Sequence, residues 1–394
     1  MKKVLILNGS FCELPLIQEA KKMGYYVITT GNMPDLIGHK YSDEYICADY
    51  SDKDKILNLV KENNIDHILS CANDFGVLTA AYVAEKMGWK GHDSYEVAEL
   101  LHHKDKFKKY AYENHIPSPK SEVFLSMEEA EKYVENIQFP IIVKANDLTG
   151  GKGIMRANNK EEAKTAISNA FTKSRDKHVV IEPFIEGQQQ SLVTFLHDQH
   201  IVASVSNNSY SPVNPYLIQT ETLPAEGIDK VKPELYEIIE RMAQELNLAD
   251  GIFAFQFIRH EDKPYVIEMM RRPFGNQFLT LAELNSGFPW HKAQIVAETN
   301  GDWNEIQVSE PKKPFCGHHG VMATQNGRVR QYTISPEFQK HIFKKIEMIP
   351  EGGTIHDYKN ERIAYLYYEY ATLEEMNTAA RHFNENIKIE FIDE

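Results

Sequence analysis

The chain has 394 residues, 42% of them hydrophobic and 25% charged, with a formal charge of −14. That length supplies two or three domains with ample core, and the composition excludes large-scale disorder. The acidic balance excludes a nucleic-acid carrier, whose phosphate contacts need clustered Lys and Arg. Four cysteines, Cys12, Cys47, Cys71 and Cys316, stand far apart with no Cys-x-x-Cys pair, so reduced thiols are expected. The apolar run at 4–7 is too short for a secretory signal and no later run approaches a membrane span. A soluble, cytoplasmic protein is expected.

Residues 1–101 alternate apolar runs with amphipathic segments. Strands are expected at 4–7, 25–30, 45–48 and 67–71, with helices at 14–23, 52–63 and 75–87. Such alternation predicts a parallel doubly wound sheet, whose ligands sit beyond the carboxyl ends of the strands. Those ends carry Asn8-Gly9-Ser10 with Glu13 nearby, and Ser70 to Asp74. Gly9 has no second or third glycine and no acidic ribose ligand follows, which excludes the dinucleotide fingerprint of a dehydrogenase. Glu13, Asn73 and Asp74 are substrate-contact candidates; helix capping accounts for them equally well.

Residues 102–119 read as a basic helix ended by Pro117 and Pro119. A helix at 127–136 precedes the apolar run Ile141-Ile142-Val143, which delivers Lys144. Thr149-Gly150-Gly151-Lys152-Gly153 follows, and then a second strand from Ile154. The P-loop needs Gly-Lys-Ser/Thr opening a helix, so this is a hairpin turn instead. Its glycines leave backbone N–H groups open to a polyphosphate, and Lys152 adds a point charge. A plain surface hairpin explains the same letters.

A helix is expected at 161–171, a strand at 179–187, and an antiparallel pair at 190–196 and 201–205. Residues 206–227 are polar and proline-rich without periodicity, and read as a long functional or mobile loop. After a helix at 233–246, strands at 251–259 and 265–268 place Gln256 and Glu268 on adjacent strands. Phe253, Phe255 and Phe257 lie on the opposite face. Helices are expected at 279–284 and 290–299. Beyond Gly301, Asn326-Gly327 signals a hairpin between 321–324 and 328–333. A short helix at 338–345, a strand at 363–370, a helix at 373–383 and a strand at 387–391 complete a small α+β lobe.

The order of these pieces resembles the ATP-grasp superfamily over essentially the whole chain. The closest likeness is to the branch of biotin carboxylase, the carbamoyl-phosphate synthetase large chain and 5-(carboxyamino)imidazole ribonucleotide synthetase. The resemblance implies a fold of mixed α/β and α+β class. It divides into a Rossmann-like pre-ATP-grasp domain at 1–101, an ATP-grasp domain at 102–306 and a C-terminal lobe at 307–394. ATP would lie between two antiparallel sheets, one of them a mobile lid at roughly 118–185. By position, Lys104 and Lys144 look like the two nucleotide lysines, and Thr149, Gly150, Gly151, Lys152 and Gly153 like the loop over the phosphates. Glu182, Pro183, Phe184 and Ile185 look like the hinge that reads adenine. Gln189 stands where a ribose-binding glutamate is usual.

Gln256 and Glu268 match the ligand pair for Mg²⁺ or Mn²⁺, whereas Met270 replaces a common asparagine and is a poor ligand for a hard cation. Arg272, followed by Pro273, corresponds to the arginine facing the reacting phosphate and carboxylate, with Lys152 as a second catalytic group. The implied function is an ATP-dependent carboxylate–amine ligase, working through an acyl phosphate on small-molecule substrates and releasing ADP and phosphate. No nucleic-acid or membrane partner is implied, and dimers are common in this branch. A small-metabolite phosphotransferase and a catalytically weak nucleotide-binding regulator are the alternatives; Met270 and Gln189 keep the last open. Substrate-contact candidates are Glu13, Asn73, Asp74, Tyr210, Tyr216, Arg271, Arg272 and the His318-His319 pair, the last also readable as ordinary strand-start residues.

Overall fold

The structure, a computed structural model, describes residues 1–148 and 151–392. The first unit is built from β1 (Lys3–Leu7), α1 (Leu14–Lys22), β2 (Tyr26–Gly31), β3 (Glu44–Cys47), α2 (Lys53–Glu62), β4 (His67–Leu69) and α3 (Asp74–Met87). Its sheet has the order β3-β2-β1-β4 and every pairing is parallel. Val4 to Leu7 are fully buried, because helices cover both faces of such a sheet and continuous apolar runs are needed there. Two further helices, α4 (Tyr95–His102) and α5 (Lys104–Glu113), replace the single basic helix expected from 102. His103 breaks them apart with an extended backbone, φ −95° and ψ 122°.

The lid comprises β5 (Glu122–Phe124), α6 (Met127–Val134), β6 (Ile141–Ala145), β7 (Ile154–Ala157), α7 (Lys160–Lys173) and β8 (Val179–Pro183). Its sheet runs β5-β8-β6-β7, all antiparallel. Ile141, Val143 and Ala145 pack with Ala163, Ala166 and Ile167 of α7. Strand side chains alternate, so Ile142 and Lys144 face the other way, into the cleft.

The body follows as β9 (Gln188–His197), β10 (His200–Tyr210), β11 (Thr220–Leu223), α8 (Lys232–Glu245), β12 (Gly251–His260), β13 (Lys263–Met270), α9 (Phe278–Ser286) and α10 (Trp290–Glu298). The remaining elements are β14 (Cys316–Val321), β15 (Gly327–Ile334), α11 (Pro336–Gln339), β16 (Ile342–Glu347), β17 (Thr354–Ile355), β18 (Ala364–Glu369), α12 (Leu373–Ala380) and β19 (Ile387–Phe391). One eight-stranded sheet, ordered β13-β12-β9-β10-β11-β14-β18-β16, carries most of them. Phe253, Phe255 and Phe257 bury one face of β12 with Leu235, Ile239 and Met242 of α8. On the other face Ile252 and Ala254 meet Phe278, Leu281 and Trp290.

Three expectations are corrected. Residues 206–227 are not one loop: β10 runs to Tyr210 and β11 fills Thr220–Leu223. Both were hidden because their buried groups, Asn207, Asn208, Glu221 and Thr222, are polar and bond one another across the ladder. The Asn326-Gly327 hairpin does not form. β14 pairs instead with β11 and β18, and β15 with β17 and β19, so long-range pairing overrides local turn chemistry. The helix at 338–345 shrinks to α11, capped by Ser335, and Ile342–Glu347 joins β18 as a strand. The eight-stranded sheet itself runs on past residue 307, since β14, β16 and β18 extend it. Among the described residues no helix is long and apolar enough to cross a membrane.

Candidate active site between lid and body

The lid and body sheets face each other across a cleft of about 640 Å³. On the lid wall, β6 and β8 pair so that Ile142 lies opposite Glu182 and Lys144 opposite Val180. Glu182, 2% exposed, gathers three donors. Lys144 Nζ bonds one carboxylate oxygen, while Lys108 Nζ (3.0 Å) and Ser121 Oγ (3.0 Å) take the other. Burial alone would raise the Glu182 carboxyl, but Lys108 and Lys144 outweigh it and hold it down at about 2. Burial pushes the Lys108 ammonium down to about 8 against the pull of Glu182. Lys108 escaped the sequence reading. It lies four residues after Lys104 on α5, hence on the same helix face, and that spacing was the available signal.

Lys104 Nζ donates to the carbonyls of Leu148 (2.7 Å) and Asn146 (3.3 Å) and stands 4.0 Å from Glu268. Of the glycine turn, Thr149 and Gly150 lie outside the described residues. Gly151 has φ +75°, and a Cβ there would sit 2.2 Å from the Tyr216 carbonyl, so only glycine fits this approach. Lys152 is exposed and its side chain is not part of the cleft lining. Downstream, the Arg156 backbone N–H donates to the Tyr216 hydroxyl at 2.5 Å. Its guanidinium lies 4.1 Å from the centre of the Phe184 ring. Tyr216 is thus where the lid meets the body.

On the body wall, Gln256 and Glu268 are direct partners in the β12–β13 ladder, so their side chains share the cleft face. Among the described residues no hydrogen bond engages either side chain, and both line the cleft with Gln189. Met270 is 2% exposed and packs with Phe274 and Phe278.

Past β13 the two arginines diverge. Arg272 makes a two-pronged pair with Asp74, Nε to Oδ1 at 2.5 Å and Nη2 to Oδ2 at 3.2 Å. The His102 ring also bonds Asp74 Oδ1 at 2.9 Å. Its Nε2 accepts the Arg271 N–H at 3.3 Å, so Nδ1 carries the proton that Asp74 receives. Burial works against an ionised Asp74, yet Arg272 and His102 hold its carboxyl well below the usual range, and Asp74 in turn raises Arg272. His102 was not foreseen.

Arg271 does not face the cleft. It forks onto Asp93 (2.7 and 3.2 Å) and donates to the carbonyls of Ile252 and Ala249, tying α4 to β12. Glu13 is likewise diverted: it accepts from Ser10, Asn8 and the Ala72 N–H, bracing the loop that presents Asn73 and Asp74. Burial raises its carboxyl. Asn73 caps α3 through Phe75 N–H and also lines the cleft. Tyr210 packs into the C-terminal core, away from the cleft. His318 pairs with buried Glu221 at 2.7 Å, and Asn276 joins both; His319 bonds Thr220. The His pair is therefore mid-sheet structure, while Glu221 and Asn276 reach the cleft lining.

Lys104 and Lys144 suit a polyphosphate. The uncommitted oxygens of Gln256 and Glu268 suit a hard divalent cation that keeps waters of its own. Both groups fit the residues present.

Residues 103–276 match the family model described as the phosphoribosylglycinamide synthetase ATP-grasp (A) domain. The chain carries an ATP-grasp domain. Across 319 residues the chain is 24% identical to the carbamoyl phosphate synthase large chain of Clostridium acetobutylicum, covering 76% of this chain but 28% of that one. Among solved structures, phosphoribosylglycinamide synthetase from Anaerococcus prevotii is similar with a TM-score of 0.77 at 21% identity, covering 99% of this chain and 100% of the other. An L-amino acid ligase from Bacillus licheniformis is similar with a TM-score of 0.81 at 15% identity, covering 100% and 99%. The ATP-grasp likeness therefore extends from the matched domain to the flanking units as a fold. The chain spans about a quarter to a third of the carbamoyl phosphate synthase large chains it matches.

Proposed function

We propose that the chain is an ATP-dependent ligase joining a small carboxylate to an amine nitrogen, with release of ADP and phosphate. The observation that carries this is the meeting, in one cleft, of Lys104 from α5, Lys144 from the lid, the Gln256–Glu268 pair and Arg272 held by Asp74. Transfer of a phosphoryl group to a carboxylate concentrates negative charge, and preorganised cations are what lower that barrier. In this reading Lys104 and Lys144 hold the phosphates, and Glu182 with Pro183, Phe184 and Ile185 receives the adenine. Gln256 and Glu268 would hold Mg²⁺, which supplies charge neutralisation at the phosphates.

Arg272, oriented by Asp74, clamps the carboxylate as it becomes an acyl phosphate. The amine then attacks the acyl carbon, phosphate leaves, and the amine proton passes to solvent or to the departing phosphate. The relatives named above are a synthase, a synthetase and a ligase by name, which supports the class without naming these substrates. A screen pairing carboxylates with amines tests it. ADP formation should require both, and heavy-oxygen label in the carboxylate should appear in released phosphate. A stable phosphorylated product without free phosphate would favour a phosphotransferase instead.

A further inference from the structure

Lys108 is buried behind the cleft wall and has no part in the reaction scheme. It lies on α5 one turn after Lys104 and is 6% exposed. Lys104 and Lys144 line the cleft, and Lys108 does not. Its Nζ is fixed on two sides: it donates to Ser118 Oγ at 2.9 Å and stands 3.0 Å from Glu182 Oε2. Ser118 in turn donates to the Val266 carbonyl at 2.8 Å. Lys108 therefore joins α5, the lid strand β8 and the body strand β13 at a point outside the cleft lining.

The charges around it are unequal. Among the described residues Lys144 Nζ has Glu182 as its hydrogen-bond partner, yet the same carboxylate holds Lys108 on its other oxygen. Two ammonium groups thus share one carboxylate. Glu268, also on the cleft, has Lys104 at 4.0 Å. Lys108 cannot leave Glu182 without unpairing two buried charges. The charge left over is therefore that of Lys144, the member of the pair that opens on the cleft. Without Lys108 the balance changes. Glu182 and Lys144 would form an exclusive ion pair in a nearly dry pocket, neutral as a whole. A polyphosphate would meet no net charge there, and drawing Lys144 toward it would strand a buried carboxylate.

We propose that Lys108 is a positioning residue for the nucleotide: as the standing counter-charge of Glu182, it keeps Lys144 available to the phosphates without touching them itself. Glu182 then braces the Lys144 ammonium at the lid wall instead of neutralising it. The proposal deepens the ligase reading and rests on its assignment of Lys144 to the phosphates. It concerns binding alone, so it applies to ADP as well as to ATP.

Calorimetric titration of the full chain with ADP and Mg²⁺, and with adenosine in competition, tests it. Lys108→Met should weaken ADP about 10- to 100-fold, the range for losing a charge-assisted interaction at a buried site. Adenosine, which has no phosphate, should bind as before. A lysine that only propped the lid would lower both together. Adding Glu182→Gln to Lys108→Met removes the carboxylate as well, so ADP affinity should return to within a few-fold of the parent. That double variant strands one ammonium instead of two and should melt above Glu182→Gln alone. Unchanged ADP affinity in Lys108→Met, an equal loss for adenosine, or no recovery in the double variant would each overturn the proposal. Lys144→Met separates it from the reading beneath. Normal ADP binding in that variant refutes the phosphate assignment of Lys144 and the proposal with it. Weakened ADP there, with none in Lys108→Met, refutes the role of Lys108 alone.

Discussion

Replacing Glu182 by Gln keeps the shape of the side chain and removes the carboxylate with which Lys108 and Lys144 both pair. Glu182 and Lys108 are all but excluded from solvent, so water cannot take over. Its carboxyl falls from an ordinary 4.5 to about 2 under the pull of the two lysines, which corresponds to about 3 kcal/mol of folding stability. Burial of Lys108 runs the other way, depressing it from 10.5 to about 8, so the intact network contributes less than that net. Breaking it is a different matter. Two buried ammonium groups that lose their paired carboxylate cost about 3–5 kcal/mol, a large share of the roughly 5–15 kcal/mol that holds a domain together. The pH profile carries the sharper signature. A carboxyl depressed in the fold contributes fully above about 4.5 and loses that contribution as pH falls toward 2. Glu182→Gln should therefore flatten the acid limb. Lys108 is depressed in the fold, so stability rises between about 8 and 10.5; without Glu182 that rise should begin at lower pH. Denaturant melts of both proteins from acid to alkaline pH measure it. A loss below about 1 kcal/mol with an unaltered acid limb would refute the network as described.

Lys144→Met and Glu268→Ala should each lower turnover by about 10²–10³ while the fold survives, measured as ADP release beside circular dichroism; near-normal rates in both would remove these residues from the site. Arg272→Lys should lose most activity with little change in ADP affinity, because lysine cannot reproduce the fork on Asp74. Arg271→Lys should act mainly on stability, since Arg271 ties Asp93, Ile252 and Ala249 together, and equal melting of the two variants would contradict this division. Tyr216→Phe removes the acceptor for the Arg156 N–H, so amides of 154–157 should exchange several-fold faster without nucleotide and regain protection with a non-hydrolysable ATP analogue.

The parts of the fold legible in the sequence were those governed by local pattern. β1, α1 and β2 follow apolar periodicity within a residue or two, and Gln256 with Glu268 could be set face to face from a hairpin count. β11 and β16 were not legible, because their burial depends on partners far along the chain. The same holds within the site. Lys144 and Arg272 stand out by motif, whereas Lys108 and His102 act through Glu182 and Asp74, which only the fold brings near. Two neighbouring arginines look alike in sequence; Asp93 and Asp74 are what send them to opposite tasks.

The sheet that crosses residue 307 without a break limits how this protein can be taken apart. β14 lies between β11 and β18 and continues the ladder begun by β9 and β10. A chain cut at 306 would leave β11 with a bare row of N–H and C=O groups, an open template for pairing with other chains. Glu221 would lose His318 at the same stroke. Shortened forms ending there should aggregate, and chimaeras with related proteins should place their junctions in the connections that flank the lid, at 118–121 between α5 and β5 and at 184–187 between β8 and β9.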